Sequence, residues 1–234
     1  ILAGVPCDFR LDYGRHINHN ATIISLNINP KDLYMNRKPT QGILTEPGAF
    51  LIKLSQVYKQ NDGTKWQKIL TDRELERNNE IFLQAEDKTD FINPLKICRA
   101  INHHIQKGDH IVADGGDFVA TASYILQPRS FTGWLDPGVF GTLGVGAGFV
   151  MGAQLTHPES VVWAIYGDGA FGYSLIEFDT FVRHKIPTIA VIGNDAGWSQ
   201  IARDQVDILR DPIGTKLEHT KYHQAVEALG GVGF

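Results

Sequence analysis

The sequence predicts an α/β protein, a doubly wound parallel sheet with helices on both faces. Three observations carry that prediction. From Asn93 onward, short β-branched apolar runs alternate with segments of helical spacing, the pattern of strand–helix–strand units. Three strand-like segments run into glycine beside Asp or Asn, at Asp114-Gly115-Gly116-Asp117, Gly167-Asp168-Gly169 and Gly193-Asn194-Asp195. The region before residue 60 reads as the tail of a further α/β unit. Because ligands of open α/β sheets lie beyond the carboxyl ends of the strands, the three glycine-bearing ends mark a candidate site.

Taken in order, Ala21–Asn27 is an apolar run expected as a strand, and Glu46–Tyr58 carries Phe50, Leu51, Leu54 and Val57 at helical spacing. Asn61-Asp62-Gly63 is expected to end that helix, and the charge-rich stretch over 64–90 to form a solvated helical arm. Asn93 caps and Pro94 opens a helix running to about Gln106. His110–Ala113 is a strand, Gly141–Leu155 a small-residue helix, Val161–Tyr166 a strand, Ser174–His184 a helix and Thr188–Ile192 a strand. The expected organisation is residues 1–60 as the end of a Rossmann-like central domain, 61–90 as a linker or helical arm, and 91–234 as the ligand-binding domain.

The bulk numbers narrow the function class. The chain has 234 residues, 43% apolar and 21% charged, with a net charge of −4, ordinary for a globular protein. No run of Lys or Arg forms a basic patch, so no nucleic-acid partner is expected. No apolar window reaches the roughly 18 residues of a membrane span. Cys7 and Cys98 are far apart and form no motif, and are expected as reduced thiols of an intracellular protein. The start at Ile1-Leu2-Ala3 and the end at Gly233-Phe234 are expected to be those of a fragment.

Gly167-Asp168-Gly169-Ala170-Phe171-Gly172 fits the G-x-G-x-x-G dinucleotide pattern, and Asp195 follows near the end of the next strand. On the pattern alone a nicotinamide or flavin site is an alternative. Charge argues the other way. In a dinucleotide fold the pyrophosphate rests on the N–H groups of that turn, where Asp168 would set a second anion. Two such anions repel by several kcal/mol at an effective dielectric of about 20. A divalent cation between them turns the repulsion into two attractions, and magnesium takes oxygen ligands together with substrate phosphates. Asn194 and Asp195, 26 and 27 positions after Asp168, return beside it after one helix and one strand. The alternative is that Asp168 and Asn194 only cap turns.

Met151-Gly152, five residues, Pro158, four residues, Trp163, Ile165 and Gly167-Asp168-Gly169-Ala170 together resemble the signature of thiamine-diphosphate enzymes. Gly138–Gly146, Asp114–Phe118, Trp134–Gly138 and Gly172–Phe178 resemble the acetolactate-synthase and 2-hydroxyacyl-CoA lyase branch, its animal acetolactate-synthase-like members above all. The resemblance implies the thiamine-diphosphate-binding fold over about 91–234. It implies thiamine diphosphate and Mg2+ as cofactors, with Asp168 as metal ligand, Asn194 or Asp195 as the second, and a backbone carbonyl nearby, that of Ala196. Relatives carry Asn where Asp195 stands. Asp114, Gly115, Gly116, Asp117, Gly167, Gly169, Ala170, Gly197 and Trp198 are expected around the cofactor. The Gly141 carbonyl is expected to accept from its aminopyrimidine, and Leu143 to wedge between its rings.

The same resemblance implies cleavage of a 2-hydroxyacyl-CoA to an aldehyde and formyl-CoA, or acetolactate synthesis from a 2-oxo acid. A non-catalytic cofactor-binding homologue is a further alternative. It implies a homodimer or homotetramer with the active site at the subunit interface, an activating Glu upstream of these residues, and no catalytic residue within them. It also implies an upstream anchor at the endoplasmic reticulum membrane. Some relatives bind FAD or ADP in the central domain, where Arg10, Arg15 and Asn27-Ile28-Asn29 could take part. His103-His104 is expected to face solvent, His219 and His223 to share a helix face, and Gln200 to join Trp198 at the pocket.

Overall fold

The computed structural model describes residues 1–59 and 62–234. Asn61, the first residue of the expected helix break, lies outside the described residues. The chain divides into two compact units, Ile1–Leu70 and Thr71–Phe234.

The first unit holds three short parallel strands, β1 (Leu2–Ala3), β2 (Ile24–Asn27) and β3 (Gln41–Leu44), in the order β1-β2-β3. The expected strand over Ala21–Asn27 pairs only from Ile24. Helix α1 (Pro30–Leu33) begins where the Asn29 side chain accepts from Lys31 N–H, and α2 (Pro47–Val57) where the Glu46 carboxylate accepts from Gly48 and Ala49. Pro stands at the first helical position of both, where a missing N–H costs nothing. Arg10 and Arg15 pair with Asp8 and Asp12, and the Asn27 side chain accepts from Asn29 N–H. The residues singled out for a nucleotide thus have local partners.

Helix α3 (Thr64–Ala85) runs across the division between the units and is exposed along nearly its whole length. In the second unit α4 (Pro94–His104) starts at an Asn93 side chain that accepts from Leu95 N–H, as its Asn-Pro start predicts. Then follow β4 (His110–Asp114), α5 (Asp117–Ile125), β5 (Trp134–Leu135), α6 (Gly146–Thr156), β6 (Val162–Gly167), α7 (Asp168–Ser174), α8 (Glu177–His184), β7 (Ile189–Gly193), α9 (Ser199–Leu209) and α10 (Tyr222–Ala228). The sheet is wholly parallel in the order β5-β4-β6-β7.

Strand side chains alternate between faces, and here they feed two cores. Val112, Ala164 and Tyr166 join Val150, Phe171, Phe178 and Phe181 on one face. Ile111 and Ile165 join Cys98, Ile101, Ala122 and Ile125 on the other. This is the doubly wound arrangement that the alternation in sequence predicts.

Three expectations need correction. The small-residue helix begins at Gly146, not Gly141, because Gly141 and Gly144 adopt φ of 58° and 83° and keep residues 141–145 in a loop. The Ser174–His184 helix is preceded by α7, which starts at Asp168 with no intervening loop. Leu175 and Ile176 keep helical dihedrals between α7 and α8. His219 lies outside α10, which holds His223, and its ring is 6.2 Å from that of Phe91, so the two do not share a helix face. Among the described residues no helix is long and apolar enough to cross a membrane.

Phe171 is fully buried, with its ring 5.1–5.2 Å from those of Tyr166, Phe178 and Tyr222. Phe171→Ala is expected to cost about 3–5 kcal/mol of stability through lost transfer energy and a residual cavity, read as a lower urea midpoint. A midpoint within experimental error of wild type would show that this cluster does not anchor α7.

Candidate functional site

A cleft of about 400 Å³ opens at the carboxyl ends of β4, β6 and β7. Three strand ends build it. Gly115, Gly116 and Asp117 contribute from the β4 end, Gly167, Asp168, Gly169 and Ala170 from the β6 end, and Gly193, Asp195, Gly197 and Trp198 from the β7 loop. Gly141 and Leu143 reach it from the loop before α6.

Close approach explains the glycines. Gly115 has φ of 147°, and a Cβ there would lie 2.6 Å from the Gly167 nitrogen. A Cβ on Gly169 would lie 2.4 Å from the Trp198 ring. Side chains at either position would displace the wall, so the sequence requires glycine to bring backbone N–H groups to the cleft surface.

Asp168 is the first residue of α7 and only 2% exposed. Its Oδ1 accepts from Gly169 N–H at 2.7 Å and its Oδ2 from Gly197 N–H at 3.2 Å, while its carbonyl accepts from the Tyr222 hydroxyl at 3.2 Å. Burial pushes its carboxyl above the usual carboxylate range. The two N–H groups counter this, and the nearby Asp195 carboxylate adds to the rise. Two acids at the mouth of one cleft leave an anion short of compensation, which a cation relieves. Asp195 in turn accepts from the Ser199 hydroxyl at 2.6 Å.

Three predicted site residues are engaged otherwise than expected. Asp114 is fully buried and does not line the cleft. Its carboxylate accepts from Gly144 N–H at 3.0 Å and Gly146 N–H at 2.8 Å. The Asn194 side chain donates to the Thr220 carbonyl at 2.9 Å and borders a neighbouring, more apolar hollow. The Ala196 carbonyl accepts from Leu217 N–H at 2.8 Å, while Gly197 lines the cleft. Ala196 holds φ of 56°, and this left-handed turn re-aims the backbone.

Phe118, Ser199, Gln200 and Ile201 also line the cleft. Of these, sequence reasoning found only Gln200. Phe118 has the look of an ordinary core residue of a helix, and Tyr222 lies 54 positions from Asp168, so neither carries a local signal. Asp117 lines the cleft and is paired with Arg203 at 2.5 Å, tying α9 to the start of α5. Among the described residues no group of three or more His, Cys, Asp and Glu side chains could hold a metal. With Asp117 paired to Arg203, the cleft offers the Asp168 and Asp195 carboxylates and backbone, a set suited to a cation that brings phosphate oxygens with it.

Because the folded-state pKa of Asp168 is raised, the folded chain holds this proton more tightly than the unfolded chain, and stability falls as pH rises through the folded value. Asp168→Asn in chelator is therefore expected to gain on wild type as pH rises above the unfolded carboxylate value of about 4, and to level off once the folded carboxyl has also ionised. Urea midpoints at constant ionic strength check this, and a difference independent of pH would contradict it.

Residues 114–234 match the family described as thiamine pyrophosphate enzyme, C-terminal TPP binding domain. Over its full length the chain is 46% identical to 2-hydroxyacyl-CoA lyase 2 of Mus musculus and 45% identical to that of Homo sapiens, and it spans 38% of each. It is 29% identical to an acetolactate synthase large subunit of Mycobacterium tuberculosis, of which it spans 43%. A thiamine diphosphate-dependent 4-hydroxybenzoylformate decarboxylase from Rhodococcus jostii superposes with a TM-score of 0.66 at 16% identity, over 91% of this chain and 38% of that one; this likeness shows the fold. Since the matched region opens at the last residue of β4 and takes in all three strand ends around the cleft, the nicotinamide alternative gives way, and the chain belongs to the thiamine pyrophosphate enzyme family.

Proposed function

We propose that the cleft holds thiamine diphosphate through a divalent cation, magnesium, and that the whole protein cleaves 2-hydroxyacyl-CoA to an aldehyde and formyl-CoA. The observation that carries the cofactor reading is the buried Asp168 carboxylate in a glycine-lined cleft at the end of β6. The substrate reading rests on the 45–46% identity to 2-hydroxyacyl-CoA lyases 2, against 29% to the acetolactate synthase. Acetolactate formation from pyruvate is the second reading, which product assays with the two substrates separate.

Asp168 is the first metal ligand in this reading. Asp195 is the second in preference to Asn194, because Asp195 lines the cleft while the Asn194 amide is engaged with Thr220. The backbone donor is at Gly197 in preference to Ala196, whose carbonyl already accepts from Leu217. The bound cofactor supplies the electron sink for breaking a carbon–carbon bond next to a carbonyl. Backbone N–H groups around Gly169 seat its diphosphate beside the metal. Leu143, 36% exposed in a loop and not packed in a helix core, supports its bent shape, and the Gly141 carbonyl accepts from its aminopyrimidine. Trp198, lying over Gly169, keeps water from the diphosphate end. The activating Glu belongs to a part of the protein upstream of these residues, and the complete site forms between subunits.

A thermal-shift titration of the full chain tests the cofactor reading. Thiamine diphosphate with magnesium is expected to raise the melting midpoint, with neither sufficient alone, by the several degrees that a stabilisation of about 2.7 kcal/mol at about 100 times Kd gives. Asp168→Ala is expected to abolish the shift. A shift with NAD, or one indifferent to magnesium and to the substitution, would contradict it.

A further inference from the structure

Asp114 has no direct access to the cleft, yet it is tied to one edge of it. It ends β4, is 0% exposed, and its carboxylate faces the backbone of the loop that leads into α6. Oδ1 and Oδ2 accept from Gly144 N–H at 3.2 and 3.0 Å, and Oδ2 from Gly146 N–H at 2.8 Å. These are charge-assisted bonds at the N-terminus of an eleven-residue helix, where an anion is favoured. Space is tight as well: a Cβ on Gly146 would lie 2.9 Å from the Asp114 carboxylate and 2.6 Å from the Tyr166 ring. Gly144 holds φ of 83° against the Tyr173 side chain. The carboxylate thus fixes residues 144–146, immediately after the cleft-lining Gly141 and Leu143. Its N–H partners, Gly144 and Gly146, are distinct from those of the Asp168 carboxylate, Gly169 and Gly197.

We propose that Asp114 is a positioning residue that sets the Gly141–Leu143 loop against the organic rings of the cofactor, and that it plays no part in seating metal and diphosphate. The inference rests on the cofactor reading of the cleft. It divides the site into two separately built halves: a ring half held from β4 through Asp114, and a diphosphate half held from β6 through Asp168. The two carboxylates share no hydrogen-bond partner, although the halves adjoin where Tyr173 of α7 packs on Gly144.

The division is tested by calorimetry on the full chain with two probes, thiamine diphosphate with magnesium and inorganic pyrophosphate with magnesium. Asp114→Asn removes the charge from the loop bonds and is expected to weaken thiamine diphosphate by about tenfold or more, the usual worth of hydrogen bonds to a charged group, while pyrophosphate stays within about twofold. Leu143→Ala, which removes the loop's own side chain from the cleft wall, is expected to give the same pattern. Asp168→Ala is expected to lose both probes. Equal weakening of both probes in Asp114→Asn would overturn the proposal and leave Asp114 a general structural role, as would unchanged binding of both. Failure of the wild-type chain to bind either probe would remove the cofactor reading itself, and the positioning role with it.

Discussion

A carboxylate withdrawn from water at the end of a central parallel strand needs compensation, and the second unit is arranged around that need at Asp168. β6 is paired on both sides, by β4 and by β7, so its carboxyl end opens into the middle of the sheet edge and not at its margin. The chain passes from Gly167 straight into α7, which puts Asp168 at once at a strand end and in the first turn of a helix. The helix dipole and the N–H groups of Gly169 and Gly197 neutralise part of the charge. Burial outweighs them and holds the carboxyl above its usual range, and the Asp195 carboxylate adds to the rise. In the proposed reading a cation at this point would close the balance, and one that carries phosphate oxygens would also account for the glycines that let backbone reach the cleft surface.

The same economy appears once more at β4. Asp114 is equally buried, but its charge is met from within, by the N–H groups of the loop and helix start above it. Burial raises its pKa as it does that of Asp168. What separates them is access: Asp114 lies behind the loop backbone, and Asp168 faces the cleft beside Asp195. The two are close in sequence texture, each an Asp beside glycine at the end of an apolar run, and they differ only in what the fold places opposite them.

That difference marks how much was legible in the sequence. The alternation of strands and helices, the Asn93-Pro94 helix start and the three glycine-bearing strand ends depend on local periodicity and turn chemistry, and the structure shows each of them. The direction in which a strand-end group points depends on single backbone dihedrals and on distant partners. Asn194 turns to Thr220, the Ala196 carbonyl to Leu217, and Asp114 to Gly144 and Gly146, through separations that no periodicity encodes. The start of α6 slipped by five residues from Gly141 to Gly146 for a related reason: small residues look helical until left-handed glycines at 141 and 144 hold the chain open. Tyr222, whose hydroxyl reaches the Asp168 carbonyl, has no sequence signal at all.

The claim on which the account stands is that Asp168 and Asp195 share a divalent cation with the cofactor's diphosphate. Anomalous scattering from crystals of the full chain grown with manganese and thiamine diphosphate measures this most directly. The account predicts a single manganese peak within coordination distance of the Asp168 carboxylate and of the diphosphate oxygens, lost in Asp168→Ala. Diphosphate seated in the cleft with no metal at Asp168, or manganese bound only away from the end of β6, would contradict it.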